Sequence, residues 1–248
     1  MKKIALLGSA LFLVLAFSMS ASAADKVVMP DSQLSQLLAD AQKTLSTLKD
    51  YTCIFHKQEW VGKKLMPAET MTVKFRAPRS VYMKWIKDPH EGRETLYIEG
   101  KNDNEVRAHE GGFLKGIKLN LDPTGSTAMA GNRHPVTEFG MDLLVAKING
   151  LLKKAMKDKE LQVYDLGKEK VFGRDTIKVE GVLPKDKAKG YYCYRAIINF
   201  DTGINLPIRV QIFDWDDKLV EDYGFDQLKL NPGLTDVDFD SDNKDYAL

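Results

Sequence analysis

Val73-Lys74-Phe75-Arg76-Ala77-Pro78-Arg79-Ser80-Val81-Tyr82-Met83-Lys84-Trp85 holds two runs of period two across a turn. Val73 and Phe75 alternate with Thr72 and Lys74, and Val81, Met83 and Trp85 alternate with Tyr82 and Lys84. Successive side chains of a strand point to opposite faces, so each run describes a strand with one apolar face. Ala77-Pro78-Arg79 breaks both runs, and a connection this short joins antiparallel neighbours.

The same rhythm extends outward from this pair. Gly62-Lys63-Lys64, Asp88-Pro89-His90 and Gly100 to Asn104 punctuate further runs from Tyr51 onward, giving a meander of about five strands. Before it, Leu34, Leu37, Leu38, Ala41, Leu45 and Leu48 repeat at helical spacing, with Asp31 or Ser32 placed to cap the start. After it, Gly111 to Pro135 is too long for a hairpin loop, and long ordered loops are often functional. A second amphipathic helix is predicted from about Val136 to Lys157, with Leu144, Ile148, Leu151 and Leu152 on one stripe and Gly140 and Gly150 weakening it. Leu161–Leu166, Thr176–Val182, Tyr191–Phe200, Leu206–Phe213 and Lys218–Leu230 then return to period two as five more strands. About ten antiparallel strands must curl, and their inner apolar face needs a cover that the two helices can supply. The predicted class is α+β: a curved, incomplete antiparallel barrel with helices over its concave face.

Residues 1–23 read as a secretory signal, with Lys2 and Lys3, an apolar run from Ile4 to Phe17 and Ala21-Ser22-Ala23 as the cleavage site. A retained anchor is the alternative, but Gly8-Ser9 interrupts the run and it is shorter than the roughly 20 apolar residues of a span. Residues 24–248 are expected to form one domain, periplasmic or secreted, with no transmembrane segment after cleavage. Loss of two lysines with the leader takes the net charge from +1 to −1, which argues against nucleic acid as a partner. Cys53 and Cys193 sit among aromatics in a chain bound for an oxidising compartment. A disulfide between them is the expectation, with two buried free thiols as the alternative; if unstrained it would restrict the unfolded chain by about 4–5 kcal/mol.

Catalytic motifs are incomplete. His109-Glu110-Gly111-Gly112-Phe113 opens like a zinc-protease helix but has no second histidine and has two glycines where a helix is needed. His90-Glu91-Gly92-Arg93-Glu94 fails in the same way, and with His56 and His134 these complete the four histidines, read as surface residues. Gly125-Ser126-Thr127 lacks the glycine pattern of a nucleophile elbow. Asp236, Asp238, Asp240 and Asp242 invite a calcium loop, yet Ser241 and Ala247 stand where glycine and glutamate belong, so an acidic segment pinned by Val237, Phe239 and Tyr246 is the better reading. Asn132, Arg133, His134 and Glu138 lie at the exit of the long loop into the second helix. They end a loop and cap a helix, or else Asn132 and Arg133 take a polar or anionic headgroup at a cavity mouth. No catalytic residue, metal or cofactor is assigned.

The segment Val73 to Trp85, followed by Leu96-Tyr97-Ile98-Glu99-Gly100, resembles the second to fourth strands of the bacterial outer-membrane lipoprotein carrier superfamily, and the order of elements is similar. Ala128-Met129-Ala130-Gly131-Asn132-Arg133-His134-Pro135-Val136-Thr137-Glu138 and Gly233-Leu234-Thr235-Asp236-Val237-Asp238-Phe239-Asp240 resemble an uncharacterised family of secreted bacterial proteins over almost all of the mature chain. The superfamily resemblance implies a cavity for acyl chains closed by helices, with an arginine from the sheet fastening the lid; Arg76 is the nearest match. A noncatalytic cell-envelope carrier or binding protein for a lipid, acyl-chain or otherwise acylated ligand is therefore expected, with an envelope protein as a further candidate partner. Its predicted ligand-binding residues are Phe75, Arg76, Met83, Trp85, Asn132, Arg133, Leu144 and Ile148. A structural or sensory module with a filled core is the alternative.

Overall fold

The computed structural model describes residues 26–114 and 116–248, so the signal-sequence reading lies outside the described residues. In chain order the elements are β1 (Val27–Val28), α1 (Asp31–Ser46), β2 (Asp50–Val61), β3 (Lys64–Leu65), β4 (Glu69–Arg76), β5 (Ser80–Trp85), β6 (Glu94–Ile98), β7 (Val106–His109) and β8 (Lys118–Leu121). Then follow α2 (Met141–Lys157), β9 (Gln162–Val171), β10 (Arg174–Val182), β11 (Arg195–Asp201), β12 (Pro207–Phe213) and β13 (Leu219–Leu230). All pair antiparallel in the order β1-β9-β10-β11-β12-β13-β2-β4-β5-β6-β7-β8, with β3 added to β2. Among the described residues the sheet does not close; β1 and β8 are its two ends. The incomplete barrel is confirmed, with two meanders of five strands each. The three strands beyond the expected ten, β1, β3 and β8, span two to four residues.

The seam between the halves is the pairing of β13 with β2, which sets Glu221 opposite Glu59, Tyr223 opposite Lys57 and Phe225 opposite Phe55. Met71, Val73, Val81, Met83 and Trp85 form the core on the inner face with Tyr51, Phe55 and Met141. Both helices lie against this face: Leu34 packs with Val163, Val179 and Phe200, while Ala41 packs with Val145 of α2 and Leu206.

Local details differ from the sequence reading at three places. Pro30, not Asp31 or Ser32, occupies the N-cap of α1, and no side chain caps it. The second helix starts five residues late, because Val136–Glu138 form one 3-10 turn and Gly140 then turns left-handed at φ 144°. Only glycine fits there: a Cβ would lie 2.3 Å from Asp142 Oδ1 and 2.9 Å from an Arg79 guanidinium nitrogen. His109 is buried, not surface; its Nδ1 donates to the Glu110 carbonyl at 2.7 Å and its Nε2 lies 3.7 Å from Glu94, its neighbour on β6.

The tail crosses the outer face. Phe239 is buried beside Tyr82 and Leu96, and Tyr246 stacks on Tyr82 at 3.9 Å, as pins of this segment should. Val237 is not one of them, being 65% exposed. Asp238 pairs with Lys74 at 2.8 Å and Asp236 with Arg76 at 2.7 Å, so these carboxylates neutralise basic residues of β4.

Candidate functional site

A cavity of about 1110 Å³ lies between the inner face of the sheet and the two helices. Its walls are mostly aliphatic and aromatic: Met83 and Trp85 from β5, Val210 and Ile212 from β12, and Leu144 and Ile148 from α2 border it. Leu151 and Leu152 complete the α2 stripe on the same side. That volume exceeds the roughly 300–1,000 Å³ of most small-molecule pockets.

Of the residues predicted from the sequence, Met83, Trp85, Asn132, Leu144 and Ile148 border this space, and Phe75, Arg76 and Arg133 do not. Phe75 is sealed in the core, its ring stacked on Tyr51 at 4.8 Å and beneath the Arg79 guanidinium. Arg76 points to the outer face and the tail. The strand alternation held the signal: Phe75 inward places Arg76 outward with Lys74. A different arginine, Arg79 in the β4–β5 turn, reaches the second helix. Its guanidinium donates to Asp142 Oδ2 at 2.7 Å and to the Phe139 carbonyl, tying that turn to the start of α2.

Arg133 and His134 anchor the long loop to the seam. The Arg133 backbone N–H donates to Glu59 Oε2 at 3.0 Å, its Nε to Glu221 Oε1 at 2.6 Å and its terminal nitrogen to the Trp60 carbonyl at 2.8 Å. His134 lies 3.5 Å from Glu221 through Nε2 and 3.1 Å from Glu138 through Nδ1, while Lys147 of α2 reaches Glu138 at 2.6 Å. Tyr192 donates to Glu221, Tyr223 to Glu59, and Lys57 to the Asn132 side-chain oxygen. Two buried carboxylates directly opposite one another would repel, so this ring of donors is what permits them. Burial works to raise the Glu221 pKa, but hydrogen bonds from His134 and Tyr192 and the charges of His134 and Arg133 hold it below the ordinary carboxylate value. His134 moves the other way: its hydrogen bond to Glu221 raises its pKa, against the effect of burial.

Lys57, Glu59, Tyr192, Glu221 and Tyr223 were not singled out from the sequence. The signal for Lys57 and Glu59 was present in the parity: Tyr51, Cys53 and Phe55 continue on the same face to Lys57 and Glu59, a change from apolar to charged on an inward-facing stripe.

The expected disulfide is not formed. Cys53 and Cys193 are both free and buried, Cys53 among Phe55 and Val73, Cys193 among Tyr191, Val210 and Ile212. Cys193 runs in line with β11, since Tyr194 N bonds the Phe213 carbonyl, and β12 and β13 stand between that line and β2. Three strand spacings come to about 14 Å along the sheet, twice the roughly 7 Å between Cα atoms that a bridge tolerates. Burial pushes the Cys193 thiol up to about 12 and the Cys53 thiol higher still.

Among the described residues no helix is long and apolar enough to cross a membrane. No curated protein matches the chain. Its fold is similar to that of MucB of Pseudomonas aeruginosa, with a TM-score of 0.51 and 14% identity over 84% of this chain and 62% of that one. The lipoprotein LppX of Mycobacterium tuberculosis gives a TM-score of 0.49 and 13% identity over 83% of this chain and 99% of that one. A LolA superfamily protein from Nitrosomonas europaea gives 0.33 and 10% over 83% and 96%. At such identities the likeness is one of fold. The family described as protein of unknown function DUF1571 matches residues 48–248, so the chain, similar in fold to MucB, belongs to that family.

Proposed function

We propose that this protein is a noncatalytic carrier or binding protein of the cell envelope, periplasmic or secreted, that holds a lipid or acyl chain in the cavity under α1 and α2. The observation that carries the reading is the cavity itself. Protein interiors are packed at crystal density with few voids larger than a water molecule, so about 1110 Å³ lined by Met83, Trp85, Leu144, Ile148, Val210 and Ile212 is far more apolar space than folding requires. An apolar void of that size loses contact energy unless a ligand fills it. Asn132, at the border near Lys57 and His134, is the polar group best placed to meet the head of an amphiphile. An acylated envelope protein would present the same chain chemistry as a free lipid.

Native purification followed by solvent extraction and mass spectrometry tests this. A stoichiometric amphiphile in the extract, or saturable uptake of a fluorescent fatty acid, is the expected result. An empty protein that takes up no such probe would favour the structural or sensory reading.

A further inference from the structure

The connection from β7 to β8 carries apolar side chains outward. Phe113, in the 3-10 turn Gly112–Leu114, is 100% exposed, Ile117 is 56% exposed and Leu119, on the edge strand, is 41% exposed. A single exposed apolar residue needs no explanation, but three within seven residues of sequence call for one. The base of the connection is fixed: a Cβ on Gly111 would lie 1.8 Å from the Glu91 carbonyl oxygen, so this backbone is pressed against the β5–β6 turn, where Arg93 and Glu110 pair at 2.8 Å. Leu119 faces Ala108 across the β7–β8 ladder, and both border the cavity together with Leu121. Leu119 thus belongs both to the exposed segment and to the cavity wall. Residues 111–119 also contain two lysines, Lys115 and Lys118, and no acidic residue; Lys118 Nζ donates to the Leu248 carbonyl at the inner end of the segment.

We propose that this tip is a membrane-contact element, which inserts Phe113 and Ile117 into the surface of an anionic phospholipid bilayer and sets the β8 end of the cavity against it. The proposal rests on the carrier reading, since an amphiphile must pass between a bilayer and the cavity without crossing water. An aromatic and an aliphatic side chain on a segment whose sequence is basic suit the interface: the Phe113 ring enters the acyl boundary, and the positive charge of the segment favours anionic headgroups.

The test is flotation of the protein in its exported form with vesicles of phosphatidylethanolamine and phosphatidylglycerol. Wild type should float, F113E and I117E should each lower the bound fraction about tenfold, and F113W should retain it. Vesicles of phosphatidylcholine alone should capture less of every form. All variants should melt with wild type, because the substituted side chains are exposed. A double variant F113E/I117E that floats like wild type overturns the proposal, as does a wild type that binds no anionic vesicle. Loss of self-association in the variants with unchanged flotation also overturns it and assigns these side chains to a second copy of the chain. Uptake of a fluorescent fatty acid without vesicles is read on the same proteins. Variants that take up the probe normally but fail to float uphold the tip, whereas a wild type that takes up none removes the carrier reading and leaves the flotation result to decide the tip alone.

Discussion

Arg79 in the β4–β5 turn donates to Asp142 in the first turn of α2 at 2.7 Å, and this pair is where the helical cover is clasped to the sheet. The guanidinium is 11% exposed and the carboxylate 46%. Its other donor takes the Phe139 carbonyl, so one side chain holds both the approach to the helix and its first turn. Arg79→Ala should therefore cost about 1–3 kcal/mol and accelerate hydrogen exchange at the start of α2 before it affects β4 or β5. Arg76→Ala, whose partner Asp236 is 94% exposed, should cost less than about 1 kcal/mol. The reverse ranking in chemical denaturation would refute the clasp.

The loop anchor at the seam should respond to pH from both sides. His134 is raised above its ordinary 6.5, so the stability it contributes is complete below that value and disappears as pH climbs through the folded pKa. Glu221 is lowered below its ordinary 4.5, so its contribution is present above that value and fades as pH falls through the folded pKa. The melting-temperature gap between wild type and His134→Gln should be widest near pH 5 to 6 and close in alkaline buffer. Glu221→Gln should cost about 2–3 kcal/mol at neutral pH, less than a wholly buried pair because Arg133 and His134 are 33% and 26% exposed. A pH-independent gap for both variants would show that neither charge contributes.

Both cysteines should be reduced and silent in the native state. Iodoacetamide at pH 8 should label neither, since burial holds both thiols protonated, and should add two labels after denaturation without reductant. A nonreducing digest that yields a peptide joining Cys53 to Cys193 would contradict the separation of their strands.

Filling the cavity should separate binding from folding. Ile148→Trp places a larger apolar side chain into space that already exists, so it should lower uptake of a fluorescent fatty acid several-fold while changing the melting temperature little. Unchanged uptake would remove Ile148 from the ligand-binding wall.

The strands and helices were legible because their information is local. The long strands follow from period-two runs such as Val81-Tyr82-Met83-Lys84-Trp85, and the stripe of Leu144, Ile148, Leu151 and Leu152 follows from helical spacing. The apolar half of the site came with them, since a residue that points inward on a curved sheet borders whatever the sheet encloses. The polar half was partly legible in the parity of β2, where Lys57 and Glu59 continue the stripe of Phe55.

The facing of each side chain within its own element is thus local, a property of backbone geometry that needs no partner. Which elements meet is not local, and it emerges only in the folded chain. The pairing of β13 with β2 puts Glu221 against Glu59 across 162 residues of sequence, and the loop that ends in Arg133 and His134 then settles beside that pair and donates to it. The same pairing keeps β12 and β13 between the two cysteines, so a bridge that redox compartment and composition favour is refused by distance. Arg79 shows the rule at its smallest scale: as a turn residue it has no parity to read, and its role appears only once α2 folds back over the sheet and brings Asp142 within reach.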